Sequence, residues 1–140
     1  MTISFTVPGK PQGKARPRFD GRSGRAYTPK NTRAYEETVR ACFLRAYRST
    51  RLSGEIEAVI TAQFSVPKNV SKFKRAAMLD GRINPTMKPD ADNIIKAILD
   101  ALNGYAYRDD AAVTKVTAVK RYGNYPMVVV TLIGGEESEK

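Results

Sequence analysis

From Glu55 to Val66 the chain keeps a strict period of two, with Ile56, Ala58, Ile60, Ala62 and Phe64 apolar and mostly polar residues between them. Successive side chains of an extended strand point to opposite faces, so this run predicts a long strand with one buried face, opened by Gly54. Such a strand is not stable alone; it needs neighbouring strands and a layer packed on its apolar side.

Those neighbours are legible in the same way. Ile3, Phe5 and Val7 alternate within Thr2 to Val7, a strand ended by Pro8-Gly9. Ala112 to Arg121 reads as a further strand, although its alternation is imperfect, and Tyr122-Gly123-Asn124-Tyr125-Pro126 turns the chain. Met127 to Ile133 is almost wholly apolar, which predicts a central strand covered on both faces. Two segments switch to a helical period. Tyr35, Val39, Cys42, Phe43 and Ala46 share one face of a helix running to about Tyr47. Asn31 or Thr32 is its expected cap, with Glu36 and Glu37 early and Arg45 and Arg48 late, as the helix dipole favours. Ile94, Ile95, Ile98, Leu99 and Leu102 stripe a second helix from about Asp92 to Asn103, stopped by Gly104. Ser71 and Gly81 bracket a shorter one. The order β-α-β-α-β-β predicts an α+β fold: one domain over residues 1–140, with helices packed on a mixed sheet and a frayed acidic tail at 134–140.

Composition narrows the chemistry. The 140 residues include no histidine and one cysteine, Cys42, which falls on the apolar face of the first helix as a small core residue. A disulfide framework, a thiolate metal site and a histidine base are thereby excluded. What remains is carboxylates, lysines, hydroxyls or a metal held by oxygen. The N-terminal Met1–Phe5 has no signal-peptide pattern and no apolar run approaches the roughly 20 residues that span a bilayer, so a cytoplasmic protein without membrane association is expected.

Lys and Arg number 24 against 14 Asp and Glu, a formal net charge of +10. An excess of that size favours a polyanionic partner, and nucleic acid is the usual one. The charge is also unevenly placed. Eight cations and one acid fall in residues 1–33, and six cations and one acid in 68–88. Five acids crowd into 90–110 as Asp90, Asp92, Asp100, Asp109 and Asp110. Both basic segments read as connections. The first, Lys10 to Pro29, is punctuated by Gly and Pro and too polar for a core, and long loops of that kind are usually functional or mobile. Lys14, Arg16, Arg18, Arg22, Arg25 and Lys30 in the first and Lys72, Lys74 and Arg75 in the second are the candidate phosphate contacts.

Within Lys88-Pro89-Asp90-Ala91-Asp92-Asn93, Pro89 keeps the approach extended, and residues two apart then point the same way. Asp90 and Asp92 can therefore converge at the helix entrance as paired hard-oxygen donors for Mg²⁺. One of Asp109 and Asp110, just before the next strand, can join them. The competing structural reading is that Asp90 or Asp92 caps the helix and that Asp92 pairs with Lys96 one turn on. Lys96 is otherwise placed to touch a scissile phosphate, with Asp100 as its outer partner and Asn93 as a cap or a supporting residue around the donors.

The run Lys88-Pro89-Asp90-Ala91-Asp92-Asn93-Ile94-Ile95-Lys96-Ala97-Ile98-Leu99-Asp100-Ala101-Leu102-Asn103, with Tyr107-Arg108-Asp109-Asp110 behind it, resembles the signature of RusA-type Holliday-junction resolvases. Gly13-Lys14-Ala15-Arg16-Pro17-Arg18-Phe19 and Tyr27-Thr28-Pro29-Lys30 are similar to segments of the same family. The resemblance implies a homodimeric, Mg²⁺-dependent crossover-junction endodeoxyribonuclease that resolves four-way junctions by paired cuts in recombination and repair. It maps the family's catalytic, metal-holding carboxylates to Asp90, Asp92 and Asp110, its functional lysine to Lys96, and a supporting role to Asp109. Tyr107 stands near the place where the family often has Trp. A non-catalytic nucleic-acid-binding protein and a nuclease for flaps or forks are the alternatives that residues alone leave open.

Overall fold

The computed structural model describes residues 1–15, 18–27, 29–48 and 50–136, and for Arg18 the backbone alone. Arg16, the Arg18 side chain, Thr28 and the end of the tail, 137–140, lie outside the described residues. In chain order the elements are β1 (Thr2–Pro8), β2 (Arg18–Phe19), β3 (Ala26–Tyr27), α1 (Lys30–Tyr47), β4 (Leu52–Ser65), α2 (Lys72–Leu79), α3 (Ala91–Leu102), a 3-10 turn (Asp110–Ala112), β5 (Val113–Gly123) and β6 (Met127–Glu136). The α+β class and the expected order hold, with a small hairpin added inside the first basic connection.

The main sheet is mixed, in the order β1-β6-β4-β5: β4 runs parallel to β5, while β6 is antiparallel to both β1 and β4. The alternation that predicted β4 is the alternation of its burial, with Ile56, Ala58, Ile60, Ala62 and Phe64 all inside. The strand starts earlier than Gly54, at Leu52; Gly54 lies within it at φ +72, where the pairing register shifts between Ser53 and Glu57. A backbone turned into that region favours a residue without Cβ.

β6 is an interior strand, but it is not covered on both faces. Val128, Val130 and Leu132 are fully buried, whereas Ile133 is 40% exposed and Met127 and Val129 are half-buried. The reason is that both long helices lie on one side of the sheet. Tyr35, Val39 and Phe43 of α1 and Ile94, Ala97, Ile98, Ala101 and Leu102 of α3 join Ile3, Phe5 and Val7 of β1 and the buried residues of β4 and β6 in one core. The opposite face carries Ser4, Thr6, Val59, Thr61, Thr117, Val119 and Thr131, all half-buried or exposed.

Helix α1 begins at Lys30 with Pro29 at its N-cap and no side-chain capping bond; neither Asn31 nor Thr32 caps it, and its first turn holds no acid. Thr32 is instead buried within the helix, where its Oγ1 accepts the Ala15 N–H at 3.3 Å. Proline has no side-chain acceptor to offer the first free N–H groups of the helix, so this helix start is set by chain geometry and tertiary contact. Ser71 caps α2 as expected, accepting the Lys74 N–H at 3.2 Å, and Gly81 follows at φ +88.

The parallel β4–β5 pair governs where the acids fall. The chain leaves β4 beside the end of β5, where Ser65 pairs with Gly123, and must return to the beginning, where Ile56 pairs with Val113. Helix α3 makes that return journey. Its entrance is tied to the far part of β5, since Lys120 Nζ donates to the Met87 carbonyl, and its exit leads to Asp110 at the start of β5.

Candidate active site

At the entrance of α3, Asp90 is the N-cap residue, extended at φ −67 and ψ 151. Its carbonyl accepts the N–H groups of Asn93 (3.1 Å) and Ile94 (3.0 Å), but its carboxylate makes no capping bond. Asp92 sits in the first turn, and Asp90, Asp92 and Lys96 are all exposed. None of the three side chains has a hydrogen bond or ion pair among the described residues, so the expected alternatives of a side-chain cap and an Asp92–Lys96 pair are not formed. Two carboxylates at a helix start with no structural partner are free to bind something else.

Asp109 and Asp110 lie past the other end of the helix. Gly104 at φ +83 ends α3 and turns the chain back. The buried Tyr107 anchors the return by donating its hydroxyl to the Leu99 carbonyl at 2.7 Å. Asn103 Oδ1 then accepts the Asp110 N–H at 3.0 Å, and Asp109 Oδ1 accepts the Ala111 N–H at 3.2 Å. Burial, then the hydrogen bond and charge of Asp109, then the charge of Asp100 hold the Asp110 carboxyl above the ordinary carboxylate range. Crowded acids of this kind favour a cation or a proton among them.

The 12 residues of α3 rise about 18 Å, so the Asp90–Asp92 pair and Asp110 stand at opposite ends of one helix. Among the described residues no three Asp, Glu, Cys or His side chains are close enough to hold one metal ion together. An oxygen-only donor set suits Mg²⁺ in kind. One chain does not bring Asp90, Asp92 and Asp110 to one point.

The cations divide into two groups. Arg22, Arg25, Lys30, Lys72 and Lys74 are exposed and Arg75 is half-buried. Arg22 and Arg25 sit on the hairpin β2–β3, where the single acid of the basic segment, Asp20, organises the turn. It accepts the Arg22 N–H at 2.9 Å and the Ser23 hydroxyl at 2.9 Å, and those bonds, the Arg22 one first, hold its carboxyl below the ordinary value. Phe19 on this hairpin and Phe73 on α2 are 71% and 77% exposed, beside the cations. Exposed rings among cations suit stacking on bases next to phosphate contacts.

Lys14 belongs to neither cluster. It turns inward, with Nζ 2.7 Å from Glu36 on α1 and 3.4 Å from Asp100 on α3, and its side chain is only 16% exposed. Asp100 therefore pairs with Lys14 and not with Lys96. Asn103, Glu36 and Gly13, whose contact with Asn93 is described below, are the supporting residues that the sequence did not single out. Glutamate in a helix and asparagine at its end are too common to mark a role without their partners. No helix among the described residues is long and apolar enough to cross a membrane.

Comparison with known proteins adds the following. A family model described as "Endodeoxyribonuclease RusA" matches residues 8–133. The chain is also similar to YqaN of Bacillus subtilis (strain 168), described as an uncharacterized protein, at 32% identity over 134 residues, covering 93% of this chain and 94% of that one.

Proposed function

Because the chain belongs to the RusA endodeoxyribonuclease family, we propose that it is a divalent-cation-dependent nuclease that resolves four-way DNA junctions as a homodimer. The observation that carries this reading is the family match over 8–133, which spans the whole run from Asp90 to Asp110. Phosphodiester hydrolysis without histidine needs another source of nucleophile and charge neutralisation, and a bound Mg²⁺ supplies both. Asp90 and Asp92, without partners among the described residues, and the crowded Asp110 are the donors offered to it. Their separation along α3 supports the dimer, since a second copy can bring its own Asp110 towards the Asp90–Asp92 pair of the first. A two-fold dimer also presents two equivalent sites, as symmetric cuts in two strands require.

The residues of the chain then act in distinct ways. Lys96, one turn beyond Asp92, is free to meet the scissile phosphate and stabilise charge that develops on it. Asp109 fixes the turn that presents Asp110 and, with Asp100, keeps that carboxyl receptive to positive charge. Arg22, Arg25, Lys30, Lys72, Lys74 and Arg75 hold junction arms through phosphates, positioning the DNA without reading its sequence.

Incubation with a synthetic four-way junction, a flap, a fork and linear duplex, with and without Mg²⁺, tests the proposal on a denaturing gel. Symmetric nicks in the junction that depend on Mg²⁺ are expected. Binding without cutting under every condition would establish the non-catalytic alternative, and preferential cutting of flaps or forks would replace the junction as substrate.

A further inference from the structure

The segment Pro11–Ala15 crosses the entrance of α3 and touches it at three points. The Lys14 N–H donates to the Asn93 carbonyl at 3.2 Å. Gly13 lies so close to the helix start that a Cβ there would meet Asn93 Nδ2 at 2.6 Å and Pro89 Cβ at 3.1 Å. The Asn93 amide can swing aside, but the proline ring is rigid, so a larger residue would push on the segment that carries Asp90. Lys14 Nζ then reaches down the helix to Asp100, and it also holds Glu36 on α1. The strap is itself pinned to α1 by the bond from the Ala15 N–H to Thr32.

A lysine in the middle of a basic, Gly- and Pro-punctuated loop would ordinarily be assigned to phosphate. This one is not available for it. Its side chain is mostly out of solvent, with the ammonium between two carboxylates from different helices, and removing it would leave both without this partner. One residue thus grips α3 at its first turn through the backbone and at its third turn through the side chain, next to the acids at both ends.

We propose that Lys14, seated by Gly13, is a positioning residue for cleavage: it fixes the α3 entrance, and with it the Asp90–Asp92 pair, and makes no contact with DNA. The proposal rests on the nuclease reading for its catalytic consequence but not for its structural one. Misplacing reacting groups by about an ångström through a residue far from the chemistry costs about a hundredfold in rate.

The test uses the full chain as wild type, Lys14→Met, Lys14→Arg and Gly13→Ala. Three quantities are measured: the single-turnover cutting rate of a four-way junction at saturating protein and Mg²⁺, junction affinity as a function of salt in EDTA, and hydrogen exchange. Lys14→Met is expected to cut about a hundredfold more slowly, with affinity and salt slope unchanged. Lys14→Arg, which keeps the charge and reach, is expected to restore most of the rate. Gly13→Ala leaves charge untouched and is expected to slow cutting in the same way. The amides of Asn93 and Ile94, bonded to the Asp90 carbonyl, are expected to lose protection in Lys14→Met while those of β4 and β6 keep theirs. A normal rate together with a salt slope shallower by about 0.9 would instead make Lys14 a phosphate contact. Loss of protection throughout the core would make it a residue of global stability only. Should the wild type fail to cut any branched DNA, the nuclease reading falls, and the exchange measurement alone then decides: unchanged protection at Asn93 and Ile94 would overturn the positioning role.

Discussion

Asp90 occupies the N-cap of α3 without using its carboxylate to cap, and Asp92 and Lys96 are equally without partners among the described residues. Side chains that hold nothing in place can be changed with little harm to folding, typically within about 0.5 kcal/mol at exposed sites. Asp90→Asn and Asp92→Asn are therefore expected to abolish cutting while thermal midpoints and junction binding persist; thermal melts, cutting assays and gel-shift titrations on the same preparations decide it. Asp110→Asn is expected to do the same, although Asp110 is less exposed. Wild-type cutting by any two of the three would remove these residues from the chemistry. Lys96→Ala is expected to slow cutting roughly a hundred- to thousandfold with affinity nearly unchanged, because one lysine is a small part of the cationic surface; a normal rate would exclude it from the reaction. That Asp90, Asp92 and Lys96 fall together in the first turns of one helix was legible in the sequence, because that pattern is local. The partner of Asp100 was not, since it comes from Lys14 in a remote segment of the chain, and no period or motif encodes an ion pair formed only by folding.

Among the elements, those whose apolar period is clear came through with small shifts at their ends. β1 and β4 bury the residues that the pattern marks. α3 buries Ile94, Ile98 and Leu102 with Ile95 and Leu99 half-buried, and α1 buries Tyr35, Val39 and Phe43 but leaves Cys42 half-buried and Ala46 exposed. Three features escaped. The hairpin β2–β3 consists of two-residue strands, too short for any period to register, and it depends on side-chain bonds to Asp20. The start of α1 has no capping side chain to announce it. The uncovered face of β6 reflects where the helices pack, not the composition of the strand. The hairpin carries its own prediction. Arg22→Gln with Arg25→Gln is expected to flatten the salt dependence of junction binding, each lost phosphate contact lowering the slope by about 0.9. Mg²⁺-dependent cutting at saturating protein should remain. An identical slope measured by fluorescence anisotropy across a salt series would show that the hairpin stays off the DNA.

At the scale of the whole molecule, assembly and stability can be read separately. Sedimentation equilibrium at micromolar concentration is expected to give twice the chain's 15.5 kDa. A monomer mass with and without junction DNA would leave Asp110 unable to join Asp90 and Asp92, and the proposed site would fail. The clamp at Lys14 gives a pH dependence of known sign. Burial works against its charge, but Glu36 and Asp100 outweigh that and hold the ammonium above the ordinary lysine value of 10.5. A group whose value is raised by folding contributes fully below its unfolded value and loses that contribution as pH rises through the folded one. The stability difference between wild type and Lys14→Met, measured by urea unfolding, is thus expected to be constant through neutral pH and to shrink above about 10.5. A gap that persists in strong alkali would mean that packing of the lysine stem, and not its charge, holds the strap.

The strand order has one more consequence, for the timing of synthesis. β6 lies between β1 and β4, pairing Leu132 with Ile3 on one side and with Ala58 on the other. It is also the last of the described strands to leave the ribosome. Until it emerges, β1 has no partner in the main sheet, and Val128, Val130 and Leu132 are missing from the core that supports α3. The nascent chain therefore exposes its basic segments long before it can set the α3 entrance in place. A ribosome translating this message carries a polycation that can meet nucleic acid, and the α3 entrance takes shape only once β6 has emerged.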